Sequence, residues 1–396
     1  MEPPSIAVAR PDLDRLVVNV SRDCNLRCRY CYADGGSYGG ARSLLTPERG
    51  LGIADYFLAT FPRIGSIQFF GGEPFLNVGV LDAICAHVLA RCDETGVPPP
   101  RFSVVSNGTI VTEDVLDVIR RRGLFVTVSL DGPREINDLQ RVSASGEGSF
   151  DRVVESIRIL KRETGQPSQV EGTFTARHLD AGFSLAAFMD FLVEELEVHV
   201  LHMPYILGDG FGAAGIGADS ARLDALVATY SEAIARSVRS LSTPDLETTI
   251  LLSFVERYLR AQLSEAKDSP LVCAAGTGTI SVDVDGAIYP CFMFTNKLPF
   301  RLGVVGTTSP GELRMASLEF ASRLVRSPGD GPRPLMSCAG MNEELAGAVD
   351  RCLPAATEVN RRLVARLDEE LAPYRRDEER WSWLKTKLAL LQVMAG

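Results

Sequence analysis

Residues 20 to 34 read Val-Ser-Arg-Asp-Cys-Asn-Leu-Arg-Cys-Arg-Tyr-Cys-Tyr-Ala-Asp, which sets Cys24, Cys28 and Cys31 in a CxxxCxxC array directly after the largely apolar run Leu16 to Val20. Three thiols in one short loop can meet at one centre. A structural zinc site takes four ligands, usually in two closely spaced pairs, and the local sequence offers no fourth. An iron–sulfur cluster on three cysteines keeps one iron without a protein ligand, open to a small molecule. A partial zinc site, or thiols that only fill space, are the plainer readings of the same array.

A chain of 396 residues suits one domain of barrel size plus a smaller one. Its 45% hydrophobic and 23% charged residues describe a soluble globular protein, with no apolar run of bilayer-spanning length. Met-Glu-Pro-Pro-Ser at the N-terminus lacks the basic region and apolar stretch of a secretory signal, so the expected location is cytoplasmic. The net charge of -10 argues against a broad nucleic-acid or anionic-membrane surface, since phosphate binding relies on clustered Lys and Arg. Nine cysteines without an export signal point to metal or redox chemistry rather than disulfides. Cys85 and Cys92, seven residues apart on one helix face, read as core filling.

The first half repeats strand then helix. After the Cys loop and the glycine-rich Gly35 to Gly40, Thr46-Pro47-Glu48 reads as a helix start, running to about Phe61. Strands at 66–70, 101–105 and 124–128 end in Gly71-Gly72-Glu73-Pro74, Ser106-Asn107-Gly108-Thr109 and Ser129-Leu130-Asp131-Gly132, with helices expected at 78–92 and 113–122. A further amphipathic helix opens at Phe150; strands near 169–175 and 198–203 bracket a helix at about 181–196. That makes six βα units by about residue 207, fewer than a closed eight-unit barrel. The polar strand ends fall on the face where βα barrels build their sites. His202, on the last strand, either faces that cavity or is a satisfied core residue.

CxxxCxxC with an aromatic before its last Cys, Tyr30, and Gly71-Gly72-Glu73-Pro74 on the next strand together resemble the signature of radical S-adenosylmethionine (SAM) enzymes. The resemblance implies a partial (β/α)6 TIM barrel, a 4Fe-4S cluster on Cys24, Cys28 and Cys31, and SAM chelated at the open iron. It implies that Gly71, Gly72 and Glu73 serve the SAM amino group, and that Ser106, Asn107, Ser129 and Asp131 serve SAM's ribose and carboxylate, or substrate. Arg141 matches an arginine of the peptide-modifying branches expected near the SAM carboxylate; its alternative is a surface ion pair.

Gly208 to Gly217, with five glycines, marks a boundary or lid, followed by helices at about 220–241 and 246–265. Cys273 and Cys291 then flank two short strands, 280–284 and 287–289, joined at Asp285-Gly286, a strong hairpin turn that brings the two cysteines together. This spacing, with Tyr289-Pro290-Cys291, resembles the opening of the SPASM domain, the auxiliary-cluster module of many radical SAM maturases. SPASM domains continue with a dense run of cysteines. Here only Cys338 and Cys352 follow, which implies a shortened, Twitch-like module with one auxiliary 4Fe-4S cluster on Cys273, Cys291, Cys338 and Cys352. Phe292 stands where some relatives carry a polar or acidic residue, removing an obvious general base. Residues 357–371 and 378–393 read as C-terminal helices, and Trp381 and Trp383 cannot share a helix face.

The expected fold is of α/β class, organised as a barrel at 1–207, a Gly-rich linker with bridging helices at 208–265, the SPASM/Twitch-like auxiliary cluster module at 266–355 and C-terminal helices at 356–396. The resemblance implies reductive cleavage of SAM to a 5′-deoxyadenosyl radical, which takes a hydrogen atom from a substrate. Tyr32 to Gly40 resembles maturases of ribosomally made peptides, including those that install thioethers. A precursor peptide is therefore the expected substrate and a flavodoxin or ferredoxin the expected electron donor. About a dozen residues precede the first strand, so a leader peptide would be held by the C-terminal helices or by a separate recognition protein. The alternatives are oxidation of a small metabolite, or a non-catalytic metal-binding or electron-transfer module.

Overall fold

Strand β1 (Leu13–Ser21) has a parallel neighbour on each side, and both halves of the chain are built onto it. The computed structural model describes residues 13–263, 271–325 and 338–395. On one side of β1 the parallel strands β2 (Ile64–Gly71), β3 (Arg101–Ser106), β4 (Phe125–Ser129), β5 (Gln169–Glu171), β6 (Val200–His202) and β7 (Leu251–Leu252) follow in sequence order. On the other lie β8 (Thr279–Val282), β9 (Ala287–Tyr289) and β10 (Gly303–Val304). The result is one sheet of α/β type, curved as a partial barrel. Because β1 to β7 are parallel, their C-terminal ends share one rim.

The local sequence explains most boundaries. Thr46 caps the helix Pro47–Thr60 by accepting from the Arg49 amide, with Pro47 in the first turn where no donor is needed. Leu16, Val18 and Val20 of β1 enter the same core as Ile53, Ala54 and Phe57 of that helix. The helix Glu113–Arg122 has acids in its first turn, arginines in its last and Gly123 in the left-handed region as its stop. Cys85 and Cys92 are buried, as their spacing suggested.

Three expectations need correction. The single helix at 181–196 is two helices, Ala176–Asp180 and Leu185–Leu196. Thr175 and His178 form a reciprocal cap that starts the first early, Gly182 turns the chain at φ +62°, and Ser184 caps the second. The helix expected from 246 is replaced at its start by a turn. The Asp245 carboxylate accepts from the Glu247 amide at 2.9 Å, and β7 then pairs with β6 before the helix Ser253–Leu263 begins. Residues 264 and 265 lie outside the described chain, as does the N-terminal pentapeptide. Finally, one helical segment, Pro74–Thr95, is long and apolar enough by composition to cross a membrane. Its apolar residues Val80, Leu81, Ile84 and Val88 are buried in the barrel core instead.

The hairpin β8–β9 turns at Asp285-Gly286, with Gly286 at φ +86°, and β8 pairs with β1, so the hairpin continues the barrel sheet. The helix Pro354–Arg375 packs along Ser220–Leu241, and the last helix, Glu378–Ala395, closes over both. Trp381 packs toward the core while Trp383 is exposed, in keeping with their two-residue offset.

Candidate functional site

Cys24, Cys28 and Cys31 are half-buried and carry no disulfide, in the loop that leaves β1 at the sheet's C-terminal rim. Backbone packing fixes the loop. The Gly72 and Glu73 amides donate to the Ser21 and Asp23 carbonyls, each at 2.8 Å. A Cβ on Gly72 would lie 2.2 Å from the Asp23 carbonyl oxygen, and one on Gly36 2.5 Å from the Gly72 Cα. The glycine turn thus does not leave those two amides exposed; it lets two loops touch through bare backbone.

Glu73 is fully buried and ties three strand ends together. Its carboxylate accepts from Ser106 Oγ at 2.8 Å, the Asn107 amide at 2.7 Å and the Phe75 amide at 3.0 Å. Burial pushes its pKa up against those three donors. Asn107 Nδ2 in turn donates to Cys24 Sγ at 3.5 Å and to Asn25 Oδ1 at 2.8 Å. Ser106 and Asn107 are therefore joined to the Cys loop through Glu73.

On the other side of the loop, Tyr30 donates to Asp131 Oδ1 at 2.9 Å and accepts from Arg141 Nη1 at 2.8 Å. Arg141 is buried, which removes the surface-ion-pair reading, and it faces Cys28. His178 braces the Asp131 carbonyl at 2.7 Å from below. Asp131 Oδ2 and Arg141 Nε are buried and have no hydrogen-bond partner. Unpaired buried polar atoms are costly, and a polar ligand would satisfy this acceptor and donor together. Ser129 lies at the end of β4, in register with Glu171. His199 Nδ1 donates to the Thr249 carbonyl and His202 Nδ1 shares a hydrogen bond with Ser253 Oγ, so both have protein partners.

The second thiol group assembles across the hairpin. Cys273, Cys291 and Cys338 feel one another's charge. Asn342, whose amide is bonded to the Cys338 carbonyl, donates to Cys352 Sγ at 3.7 Å, bringing the fourth cysteine to the same region. Phe292 packs at a tilt on Phe70, ring centroids 4.6 Å apart, and leans on Tyr32, so the residue after Cys291 joins an aromatic cluster. Arg22 joins the two halves through Asp283 and Asp285.

Among the described residues, no three His, Cys, Asp or Glu side chains are drawn together tightly enough to hold a single metal ion. The donor chemistry suits iron and sulfide. Burial pushes the Cys24 thiol up and Cys28 up to about 12, so these thiols give up their protons only to a cation that replaces them. Sequence reasoning missed three residues: the bridging role of Tyr30, His178 beneath Asp131, and Glu171 at the end of β5. Only Glu171 had a usable signal, as a charged residue just before Gly172 where the strand ends, and reading the strand on to 175 hid its place at the rim.

A strand-end rim thus carries three thiols, a glycine turn against them and unpaired polar atoms beside them. The profile of the radical SAM superfamily matches residues 18–173, the part of the chain that carries these residues. Similar proteins include a cysteine-type anaerobic sulfatase-maturating enzyme of Clostridium novyi, 30% identical over 45% of this chain and 49% of its own. Another is an uncharacterized protein, MJ0907, of Methanocaldococcus jannaschii, 29% identical over 38% of this chain and 49% of its own. The chain spans about half the length of these curated relatives. The solved structure of anSMEcpe with bound AdoMet superposes with a TM-score of 0.75, covering 94% of this chain and 98% of that one at 16% identity, which establishes a shared fold.

Proposed function

We propose that this protein is a radical SAM peptide maturase, modifying a ribosomally made peptide after removal of a hydrogen atom from carbon. The observation that carries the reading is the convergence of Cys24, Cys28 and Cys31 with the unpaired Asp131 Oδ2 and Arg141 Nε on one rim. A 4Fe-4S cluster with SAM supplies, when bound, the electron and the 5′-deoxyadenosyl radical. The chain's own residues hold and orient. The three thiols would ligate the cluster, and the Glu73 hub fixes the spacing between Asn107 and Cys24. Arg141 supplies a cation for the SAM carboxylate, and Asp131 an acceptor for a hydroxyl or amine. Phe292, Phe70 and Tyr32 line the loop after Cys31 with aromatic rings.

Cys273, Cys291, Cys338 and Cys352 would hold one auxiliary cluster, with too few thiols for a second. The peptide substrate is supported by the sulfatase-maturating relatives and by the anSMEcpe structure that contains both AdoMet and the Cp18Cys peptide. Such an enzyme needs an external donor of flavodoxin or ferredoxin type, and a separate peptide-recognition protein fits the same scheme, in a cytoplasmic setting. The test is anaerobic reconstitution, reduction in the presence of SAM and mass spectrometry for 5′-deoxyadenosine, comparing the parent with Cys24→Ala. The parent is expected to form it and the variant not; equal yields would overturn the assignment of the Cys24 loop. Zinc without sulfide would indicate a metal-binding module. Turnover of a metabolite but no peptide would favour the small-molecule reading.

A further inference from the structure

The C-terminal rim of the sheet carries one ionisable group that the site above does not use. Glu171 ends β5, half-buried, with its neighbours in register at Ser129 on β4 and His202 on β6. Its carboxylate has no hydrogen bond or ion pair among the described residues, although it feels Arg141, Arg15, Arg257 and Asp131 from four other parts of the chain. Arg141 also faces Cys28, and Arg15 also faces Cys291. Glu171 therefore sits on the same strand-end rim as Ser129, beside the Cys loop's partners Asp131 and Arg141. A half-buried carboxylate without a hydrogen-bond partner costs stability, which the charge of the surrounding arginines offsets only in part.

We propose that Glu171 is the proton acceptor for the substrate's target residue, the task that Phe292 cannot perform on the hairpin. This rests on the radical SAM reading. In a two-electron oxidation the target C–H bond breaks and its hydrogen atom leaves to the deoxyadenosyl radical. A C=X double bond then forms, where X is sulfur, oxygen or nitrogen. One electron leaves to an iron–sulfur acceptor, and the proton of X–H goes to the Glu171 carboxylate. Burial lifts Glu171 to about 6 while the three arginines hold it down, so it is ionised near pH 7 and close to the ideal strength for a base there. His202, the other titratable group at this rim position, is bonded to Ser253 and depressed to about 3 by burial and by Arg257 and Arg15, so it stays neutral.

The experiment uses the full chain, reconstituted under anaerobic conditions, as parent and Glu171→Gln. Labelling with a water-soluble carbodiimide and an amine, read by peptide mapping, is expected to reach Glu171 below pH 6 and fade above it. No labelling at pH 5 would make Glu171 a sealed counter-ion and overturn the proposal. Thermal melting at pH 8 is expected to leave Glu171→Gln at or above the parent Tm, by about 1–3 °C. A clear fall in Tm would show that Glu171 serves the three arginines instead. Both measurements decide without a known substrate. With capped pentapeptides centred on Cys, Ser or Thr as probes, the variant should cleave SAM as the parent does but lose at least tenfold in modified peptide relative to 5′-deoxyadenosine. Equal modification by the variant would overturn the proposal, whereas absence of 5′-deoxyadenosine from the parent would overturn the radical SAM reading itself.

Discussion

Arg22, two residues before Cys24, is held by Asp283, 261 positions along the chain, with Nε donating to Oδ2 at 2.8 Å in a buried setting. Asp285 takes a second bond from the same guanidinium at 2.9 Å. Asn19 donating to Thr295 and Asn296 donating to the Tyr38 carbonyl run beside this pair. The Cys loop and the hairpin are thus set against each other by polar contacts that neither loop can satisfy alone.

Breaking that pair from one side leaves a buried charge without its partner, which costs about 3–5 kcal/mol. Asp283→Asn is expected at the low end, because Asp285 remains. Denaturant unfolding should show the loss, and Arg22→Met with Asp283→Leu should recover part of it. If the double variant is no more stable than the singles together, the pair is not coupled. Alkylation of Cys24 and Cys291 should quicken in the single variants.

The glycine turn gives a sharper local test. Gly72→Ala places a Cβ 2.2 Å from the Asp23 carbonyl oxygen, so one of the two loops must move. The first site should therefore lose metal while the second keeps it. With roughly four irons per 4Fe-4S cluster, reconstituted parent is expected near eight per chain and Gly72→Ala near four. Cys291→Ala should also fall to near four but retain 5′-deoxyadenosine formation, which separates the two centres.

The rim was largely legible from the sequence because its signals are local. The cap at Thr46, the alternation of strands and helices and the polar strand ends each depend on a few neighbouring residues, and the structure follows them. What crosses the barrel was not legible. Tyr30 meets Asp131 and Arg141 over separations of 101 and 111 residues, and Arg22 meets Asp283 over 261, distances at which pattern carries no information. The pairing of β8 with β1 is of the same kind. The helix expected from residue 246 failed for a local reason that was readable: Asp245 followed by Thr248 and Thr249 is a turn former, and apolar spacing was allowed to outweigh it.

The C-terminal helices are fastened by one buried ammonium. Lys387 is almost wholly buried and donates to the Ser240 carbonyl and Thr249 Oγ1, each at 2.7 Å, and to the Asp245 carbonyl. Lys387→Met keeps the apolar stem and leaves those acceptors without a donor. At about 1–3 kcal/mol for each buried group left unsatisfied, the variant should lose several kcal/mol in denaturant unfolding. It should bind iron normally at both sites once folded. Loss of metal without loss of stability would contradict a purely fastening role.

Acid should weaken the barrel through two histidines held neutral. His178 accepts the Thr175 amide at Nδ1 and uses Nε2 at the Asp131 carbonyl, so a second proton would displace the amide bond; burial lowers its pKa. His202 is lowered further, to about 3, by burial first and then by Arg257 and Arg15. Both folded values lie below the unfolded 6.5, so the folded state binds fewer protons. Their contribution is complete above pH 6.5 and is lost as pH falls, for His202 down toward 3, at up to about 1.4 kcal/mol per pH unit for each group. Glu171 has the opposite sign: raised to about 6, it favours the fold below pH 4.5 and loses that contribution as pH rises through 6. Melting curves from pH 7.5 to 4.5 should therefore show a net fall in Tm that His202→Asn reduces and Glu171→Gln steepens. A pH profile unchanged by His202→Asn would show that His202 is not held neutral in the folded protein.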